Sequence, residues 1–186
     1  ACGYIDNFSE FFNLFKANSN GDTAWVKDLG SGNLCRAFSI KQTTDSGYIF
    51  TGKGNINGVS SLHLIKTDIN GDTLWTKILS DSSEGRSVLQ TADGGYVVAG
   101  SIKRNPLLMK TDANGDTLWV KNYANGLKTV EGSSVKQTND GGFIIIGSLS
   151  NGINTSVYIL KTDSIGDKLW DKTIGGCGNY YGNDIE

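Results

Sequence analysis

Two segments near the middle of the chain, Tyr96-Val-Val-Ala-Gly100 and Phe143-Ile-Ile-Ile-Gly147, are apolar on consecutive residues. A strand with one wet face alternates apolar and polar positions, so uninterrupted runs of this length predict strands buried on both faces. Each run follows an Asp-Gly-Gly step (Asp93–Gly95 and Asp140–Gly142), which is hairpin chemistry because glycine reaches the positive φ of a tight turn. One complete unit starts near Glu84 and reads as four strands. The first runs through Gln90, a turn falls at Ala92-Asp93-Gly94, and the second strand is Tyr96–Gly100. The third runs from Pro106 through Leu-Leu-Met-Lys-Thr-Asp, a turn falls at Asn114-Gly115, and the fourth spans Thr117 to Tyr123. Together they predict an antiparallel meander of about 47 residues, with no helical periodicity of useful length anywhere.

The unit recurs. LIKTDINGDTLWTK (Leu64–Lys77) returns as LMKTDANGDTLWVK from Leu108, as ILKTDSIGDKLWDK from Ile159 and, in worn form, as LFKANSNGDTAWVK from Leu14. Each copy holds Gly-Asp followed by a tryptophan: Trp25, Trp75, Trp119 and Trp170, at spacings of 50, 44 and 51 residues. A period of this size marks a repeat architecture. The stretches Ser39–Tyr48, Ser87–Tyr96 and Ser134–Phe143 superimpose without a gap, aligning Gln42, Gln90 and Gln137, and Asp45, Asp93 and Asp140. A meander buried on both faces and repeated head to tail predicts an all-β chain: a β-propeller of about four four-stranded antiparallel blades. The ring is either closed by joining the termini or part of a larger one. A β-solenoid is the alternative, disfavoured because hairpins reverse the chain. The whole of 1–186 reads as one repeat domain, with units at about 1–36, 37–83, 84–130 and 131–182, and 183–186 beginning a further strand.

Composition narrows the partners. The 186 residues suffice for a sizeable core, and the chain is one domain or a piece of a larger one. A net charge of −2 argues against nucleic acid or an anionic membrane surface. No apolar run approaches the roughly 18 residues of a membrane span, and the opening residues read as no secretion signal. The 25 glycines against one proline mean that tight turns punctuate the chain. Cys2, Cys35 and Cys177 are odd in number and lack metal-type CxxC spacing.

The segments KTDINGDTLWTK, KTDANGDTLWVK, SVKQTNDGGFIIIGS and TIGGCGNYYGNDIE resemble a repeat of secreted and cell-surface proteins of Bacteroidetes-type bacteria, often found upstream of a type IX secretion sorting domain. The likeness covers nearly the whole chain, with departures at Asn18, Ala24 and Ile165 and with no sorting domain here. It implies a propeller-like fold and an extracellular or cell-surface location, and it brings no assigned catalytic residues. The tryptophan position is also similar to the docking motif of quinoprotein dehydrogenases, where a tryptophan near a blade's outer strand packs on the next blade. That implies fold and not activity.

Candidate chemistry is sparse. Asp68, Asn70 and Asp72, and again Asp112, Asn114 and Asp116, place oxygen side chains at every second position, as a calcium loop begins. The closing bidentate acid is missing, and hairpin turns with Asp and Asn bonding their own backbone explain all four copies, so turn chemistry is the favoured reading and calcium the weaker one. Asp45, Asp93 and Asp140 are read as turn caps rather than a ring of acids. Gln42, Gln90 and Gln137 are expected on the innermost strands, lining a channel or bonding between blades. Glu84 and Glu131 are expected in solvated rim loops. His63 is the only histidine, and no GxSxG or acid–base pair is present. Tyr180, Tyr181, Phe11 and Phe12 could stack on sugars, but packing within a blade is the favoured reading.

The expectation is a non-catalytic extracellular propeller module, used as a binding or structural unit of a bacterial surface protein. Its partners are a protein or glycan on a loop rim, or copies of itself, and it needs no cofactor unless calcium. A self-assembling structural subunit is the second reading. A quinone- or metal-dependent enzyme is the third, disfavoured because enzymes break repeat symmetry at the site and the axial positions here look like near-identical copies. Three structural expectations accompany this. The four tryptophans are buried at blade-to-blade contacts. Cys2 and Cys177, about seven residues or roughly 23 Å apart in this register, lie too far apart for a disulfide. The segments near Tyr4–Phe8 and Ile185 complete a shared blade, because an unpaired sheet edge is normally covered.

Overall fold

The turns decide where each strand ends. In the turn Thr91–Gly95, the Thr91 N–H donates to the Gly95 carbonyl at 2.9 Å and the Gly94 N–H to the Thr91 carbonyl at 2.9 Å. Gly94 sits at φ +82°, with open space where a Cβ would be. Gly95 is required for another reason: a Cβ there would lie 2.2 Å from the Thr111 carbonyl and 2.5 Å from Lys110 Nζ. The same turn recurs at Thr43–Gly47 and Thr138–Gly142. In the first of these Ser46 takes the positive φ, at 68°.

The computed structural model describes residues 13–28, 34–79, 81–123, 129–175 and 178–185. Among the described residues it contains fourteen strands and no helix. β1 (Asn13–Ala17) and β2 (Thr23–Asp28) form a two-stranded sheet. The second sheet is β3 (Leu34–Gln42), β4 (Tyr48–Ile56), β5 (Val59–Thr67) and β6 (Thr73–Leu79). The third is β7 (Ser83–Gln90), β8 (Tyr96–Ile102), β9 (Asn105–Thr111) and β10 (Thr117–Asn122). The fourth is β11 (Thr129–Gln137), β12 (Phe143–Ser150), β13 (Thr155–Thr162) and β14 (Lys168–Ile174). Every sheet is an antiparallel meander in chain order, the arrangement of propeller blades. A solenoid coil would not give it.

The core lies between sheets, not within them. Along β8, Tyr96, Val98 and Ile102 join Ile49, Leu62, Leu64, Val88, Leu107 and Met109 in the layer between the second and third sheets. The alternate residues Val97 and Ala99 join Val135, Phe143, Ile145, Tyr158 and Leu160 in the next layer. All seven residues of β8 are therefore buried, which accounts for its unbroken apolar run. In β12 burial alternates, and β14 is exposed along its whole length, because the fourth sheet has a described sheet on one face and only the short tail on the other.

β3, β7 and β11 stand side by side, and each carries a bulge at the same register position. Pairing jumps from Ala37 to Ser39, from Gly85 to Ser87 and from Gly132 to Ser134, leaving Phe38, Arg86 and Ser133 as the extra residues. A bulge strengthens local twist and redirects its side chain. The carboxyl-terminal tail continues this series. A Cβ on Gly182 would lie 2.5 Å from the Gly147 carbonyl, just as Gly85 crowds Thr51 and Gly132 crowds Gly100 of the sheet before. Residues 182–185 thus lie on the fourth sheet where the innermost strand of a following blade begins. Cys2, Cys177 and Tyr4–Phe8 lie outside the described residues, so the cysteine and shared-blade expectations concern positions not described here.

The two glycines of one turn should respond differently to alanine. Gly94→Ala should cost about 1–2 kcal/mol, the left-handed penalty alone, whereas Gly95→Ala, driven against backbone, should cost more and lower the melting temperature further. Urea titrations of the two variants measure the difference.

Candidate functional site

Three of the four repeat motifs spend polar groups on the neighbouring blade. Trp75 on β6 meets Tyr96 of the third sheet edge to face, with centroids 5.7 Å apart. It also lies over Gly115, where a Cβ would sit 2.7 Å from the ring. Two residues on, Lys77 Nζ pairs with Asp116 at 2.6 Å. Trp25 and Lys27 repeat this on Tyr48, Gly71 and Asp72, and Trp119 and Lys121 repeat it on Phe143, Gly166 and Asp167. The Trp-x-Lys of one blade thus docks on the Gly-Asp of the next. The three rings are half-buried rather than fully buried. Trp170, beyond which no further sheet is described, is 42% exposed. Tyr123 adds a bond at the last junction, its hydroxyl donating to the Gly166 carbonyl at 2.7 Å, and burial pushes its phenol well above the usual range.

The oxygen-rich turns are engaged in these contacts. Asp68 Oδ1 accepts from the N–H groups of Asn70 and Asp72, both at 2.8 Å, while the Asp72 carboxylate faces Lys27. Asp112 does the same for Asn114 at 2.9 Å and Asp116 at 2.8 Å. Among the described residues no three His, Cys, Asp or Glu side chains gather into a metal-type cluster.

Asp45, Asp93 and Asp140 cap their turns and also receive a lysine. Lys66, Lys110 and Lys161, the lysines of the Lys-Thr-Asp motif, reach them at 2.8, 2.9 and 3.0 Å. The Lys66 side chain is only 3% exposed. All three carboxyls are lowered to about 2. For Asp45 the Lys66 bond leads, followed by Thr43. For Asp140 Thr138 leads, followed by Lys161. At Asp93 the largest influence, partial desolvation, pushes upward but is outweighed by the bonds from Thr91, Lys110 and the Gly95 N–H together.

Gln90 and Gln137 bond between blades rather than line a channel, while the Gln42 amide donates within its own turn to the Ser46 carbonyl at 3.3 Å. Gln90 Oε1 accepts from Thr44 N–H at 2.9 Å, and Gln137 Oε1 accepts from Ala92 N–H at 3.4 Å. The aligned serines form a further row: Ser39 Oγ accepts from Val88 N–H and Ser87 Oγ from Val135 N–H, both at 3.3 Å. Ser134 Oγ donates to Asp184 of the tail at 2.6 Å. Glu84 and Glu131 are strand residues of β7 and β11, not rim-loop acids. The Glu84 side chain is 12% exposed and holds Arg86 at 2.7 Å, with Lys53 at 3.6 Å. His63 is buried in β5, its Nε2 3.1 Å from Ser61 Oγ, and desolvation lowers its pKa. Tyr180 and Tyr181 do not pack within a blade; they are 49% and 61% exposed, while Phe11 and Phe12 lie outside the described residues.

Several concavities open among the described residues, and one of them lies along the innermost strands. A cleft of about 450 Å³ opens between β3, β7, β11 and the tail. The bulge residues Phe38, Arg86 and Ser133 line it, together with Lys41, Lys136 and Asp184. The Arg86 guanidinium lies 4.3 Å from the centre of the Phe38 ring. The expected near-identity of the axial positions therefore holds for Ser39, Ser87 and Ser134 but fails for Phe38, Arg86 and Ser133. Single-sequence alignment could have shown the mismatch at this column, but only the paired register reveals that the residue is a bulge. Asp184 is held below the usual carboxylate range, first by Ser134 and then by the Ile185 N–H, with Lys41 and Lys136 contributing.

Two measurements check these assignments. The capped aspartates have folded pKa values of about 2 against an ordinary value of 3.8, so the stability they add is complete above about pH 4 and is lost as pH falls toward 2. Acid titration should show unfolding in that window, and Asp93→Asn should flatten the slope. Trp119→Ala should cost about 2 kcal/mol, below the figure for a fully buried aromatic, and Trp170→Ala under about 0.5 kcal/mol. Equal losses in chemical denaturation would remove the docking role of the ring.

No described protein family matches the chain, and no curated protein does. Among solved structures, it is similar to the crystal structure of a protein of unknown function from Bacteroides caccae, with a TM-score of 0.60 and 14% identity. The match covers 92% of this chain and 61% of that one, so the present chain spans about three-fifths of that protein. At this identity the likeness speaks for the fold alone, an all-β array of propeller-like blades.

Proposed function

We propose that this chain is a non-catalytic binding module of a bacterial surface protein, working outside the cell, and that the cleft between β3, β7 and β11 seats an anionic ligand. The carrying observation is the bulge column. Copied serines and glutamines around it keep the blades together, while Phe38, Arg86 and Ser133, at one register position, all differ. Bulges are concentrated where a side chain is re-aimed for a purpose. Lys41, Arg86 and Lys136 bring three cations into this cleft, with Asp184 of the tail lining it and Glu84 paired to Arg86 at 2.7 Å. Glu84 and the Phe38 ring fix the guanidinium in place, which lowers the entropic cost of binding. A planar guanidinium suits a carboxylate or sulfate. What supports the non-catalytic reading is that, among the described residues, Asp184 is the one carboxylate lining the cleft, without the paired acid or histidine that general acid–base work uses. The extracellular location rests on the repeat resemblance.

Acidic glycans, carrying uronate or sulfate, should be retained on an array over their neutral counterparts. Arg86→Ala should weaken that binding at least tenfold and leave the melting temperature within a few degrees. Equal binding of neutral glycans, or an unchanged affinity in Arg86→Ala, would sink the assignment.

A further inference from the structure

The docking of one blade on the next uses a pair of complementary parts, and the described chain carries one unmatched copy of each. On the donor side are Trp170 and Lys172 of β14. The ring is 42% exposed, and Lys172 Nζ lies 5.8 Å from its centre, folded back over it. The equivalent lysines Lys27, Lys77 and Lys121 instead reach Oδ1 of an aspartate at 2.6–2.8 Å on the next sheet. On the acceptor side is the turn Asn18–Asp22. It has the bonding of its counterparts, with Asn18 N–H donating to the Asp22 carbonyl at 2.9 Å and Gly21 at φ +88°. Gly71, Gly115 and Gly166 each lie under a tryptophan, but around Gly21 a Cβ would meet nothing within 4 Å. Among the described residues no lysine is set on Asp22.

We propose that the face of β14 bearing Trp170 and Lys172 docks on the Gly21-Asp22 turn of a second copy of this chain. The charges are complementary, and the contact repeats, residue for residue, a junction that the chain already makes three times. The inner edge agrees. The tail at Gly182–Ile185 occupies the innermost-strand position beyond the fourth sheet, where Ser134 holds Asp184. The first sheet shows only β1 and β2 among the described residues. Docked in this way, the tail of one copy would lie beside the first sheet of the next. The contact is heterologous, so it propagates into a ring or a filament rather than stopping at a symmetric pair. This docking is independent of any ligand in the cleft.

Reciprocal charge reversal tests it in sedimentation velocity. The wild-type chain should shift to larger species as concentration rises. Lys172→Asp and Asp22→Lys, both exposed changes, should each sediment as monomers, since each places like charges at the contact. An equimolar mixture of the two should associate again, as should the double variant. Trp170→Ala, which removes no buried group, should weaken association at least tenfold. A wild-type chain that stays monomeric at every concentration would overturn the proposal, as would a mixture no larger than its components. If that monomer is destabilised by either reversal and restored by both together, the two ends have closed on each other within one chain.

Discussion

A tryptophan ring seated on a glycine is the contact on which the lateral order of this fold depends. At Gly71, Gly115 and Gly166 any other residue would push a Cβ to within about 2.8 Å of the indole, closer than carbon atoms approach. The glycine is therefore needed twice, for the positive φ of its own turn and for the ring of its neighbour. The aspartate that follows then lies within reach of the lysine two residues beyond the tryptophan. Exposed ion pairs of this kind contribute about 0.2–1 kcal/mol each, so the ring and the apolar layers beneath it supply most of the attraction and the ion pair fixes the register. Once a blade is placed by its outer strand, the glutamine and serine bonds at its inner strand follow from the same rotation. Outer and inner stitches are consequences of one repeated geometry.

Much of the strand pattern could be read from the residues. The unbroken run at Tyr96–Ala99 announced a strand packed on both faces, and Asp-Gly-Gly marked its turn. The lysine contacts were not apparent, although Lys27, Lys77, Lys121 and Lys172 recur two places after each tryptophan. A lysine on an outer strand looks like a solvated charge until the next blade's carboxylate is placed beside it. Glu84 misled for a related reason: the adjoining glycine suggested a loop, whereas Gly85 is a point of close approach inside β7, where Thr51 leaves no room for a Cβ. The half-burial of the tryptophans also escaped a reading by residue type, because it depends on how far the outer strands lie from the layers between sheets.

The bulge column separates two demands on the same strand. Ser39, Ser87 and Ser134 serve the neighbouring strand or tail and are copied in the three units whose innermost strand is described. The residue one step before each of them is released from pairing and so from that duty. A repeat protein can vary such a position without disturbing its junctions, which is how Phe38, Arg86 and Ser133 come to share one place in the fold. It also explains why fold and binding surface can drift apart in such a chain. The same spine could carry a different set of three residues.

The stitches described above join each sheet only to those beside it. A chain of this kind behaves as a one-dimensional array, whose stability is a sum of unit terms and junction terms. Inner sheets are gripped by sheets on two faces, while the fourth, with β14 exposed throughout, is gripped by a sheet on one. Opening therefore starts at the margins and moves inward one junction at a time. Amide protons of β8 and β9 exchange last, and a weakened junction uncouples the array into two blocks that melt separately instead of lowering the stability of the whole evenly.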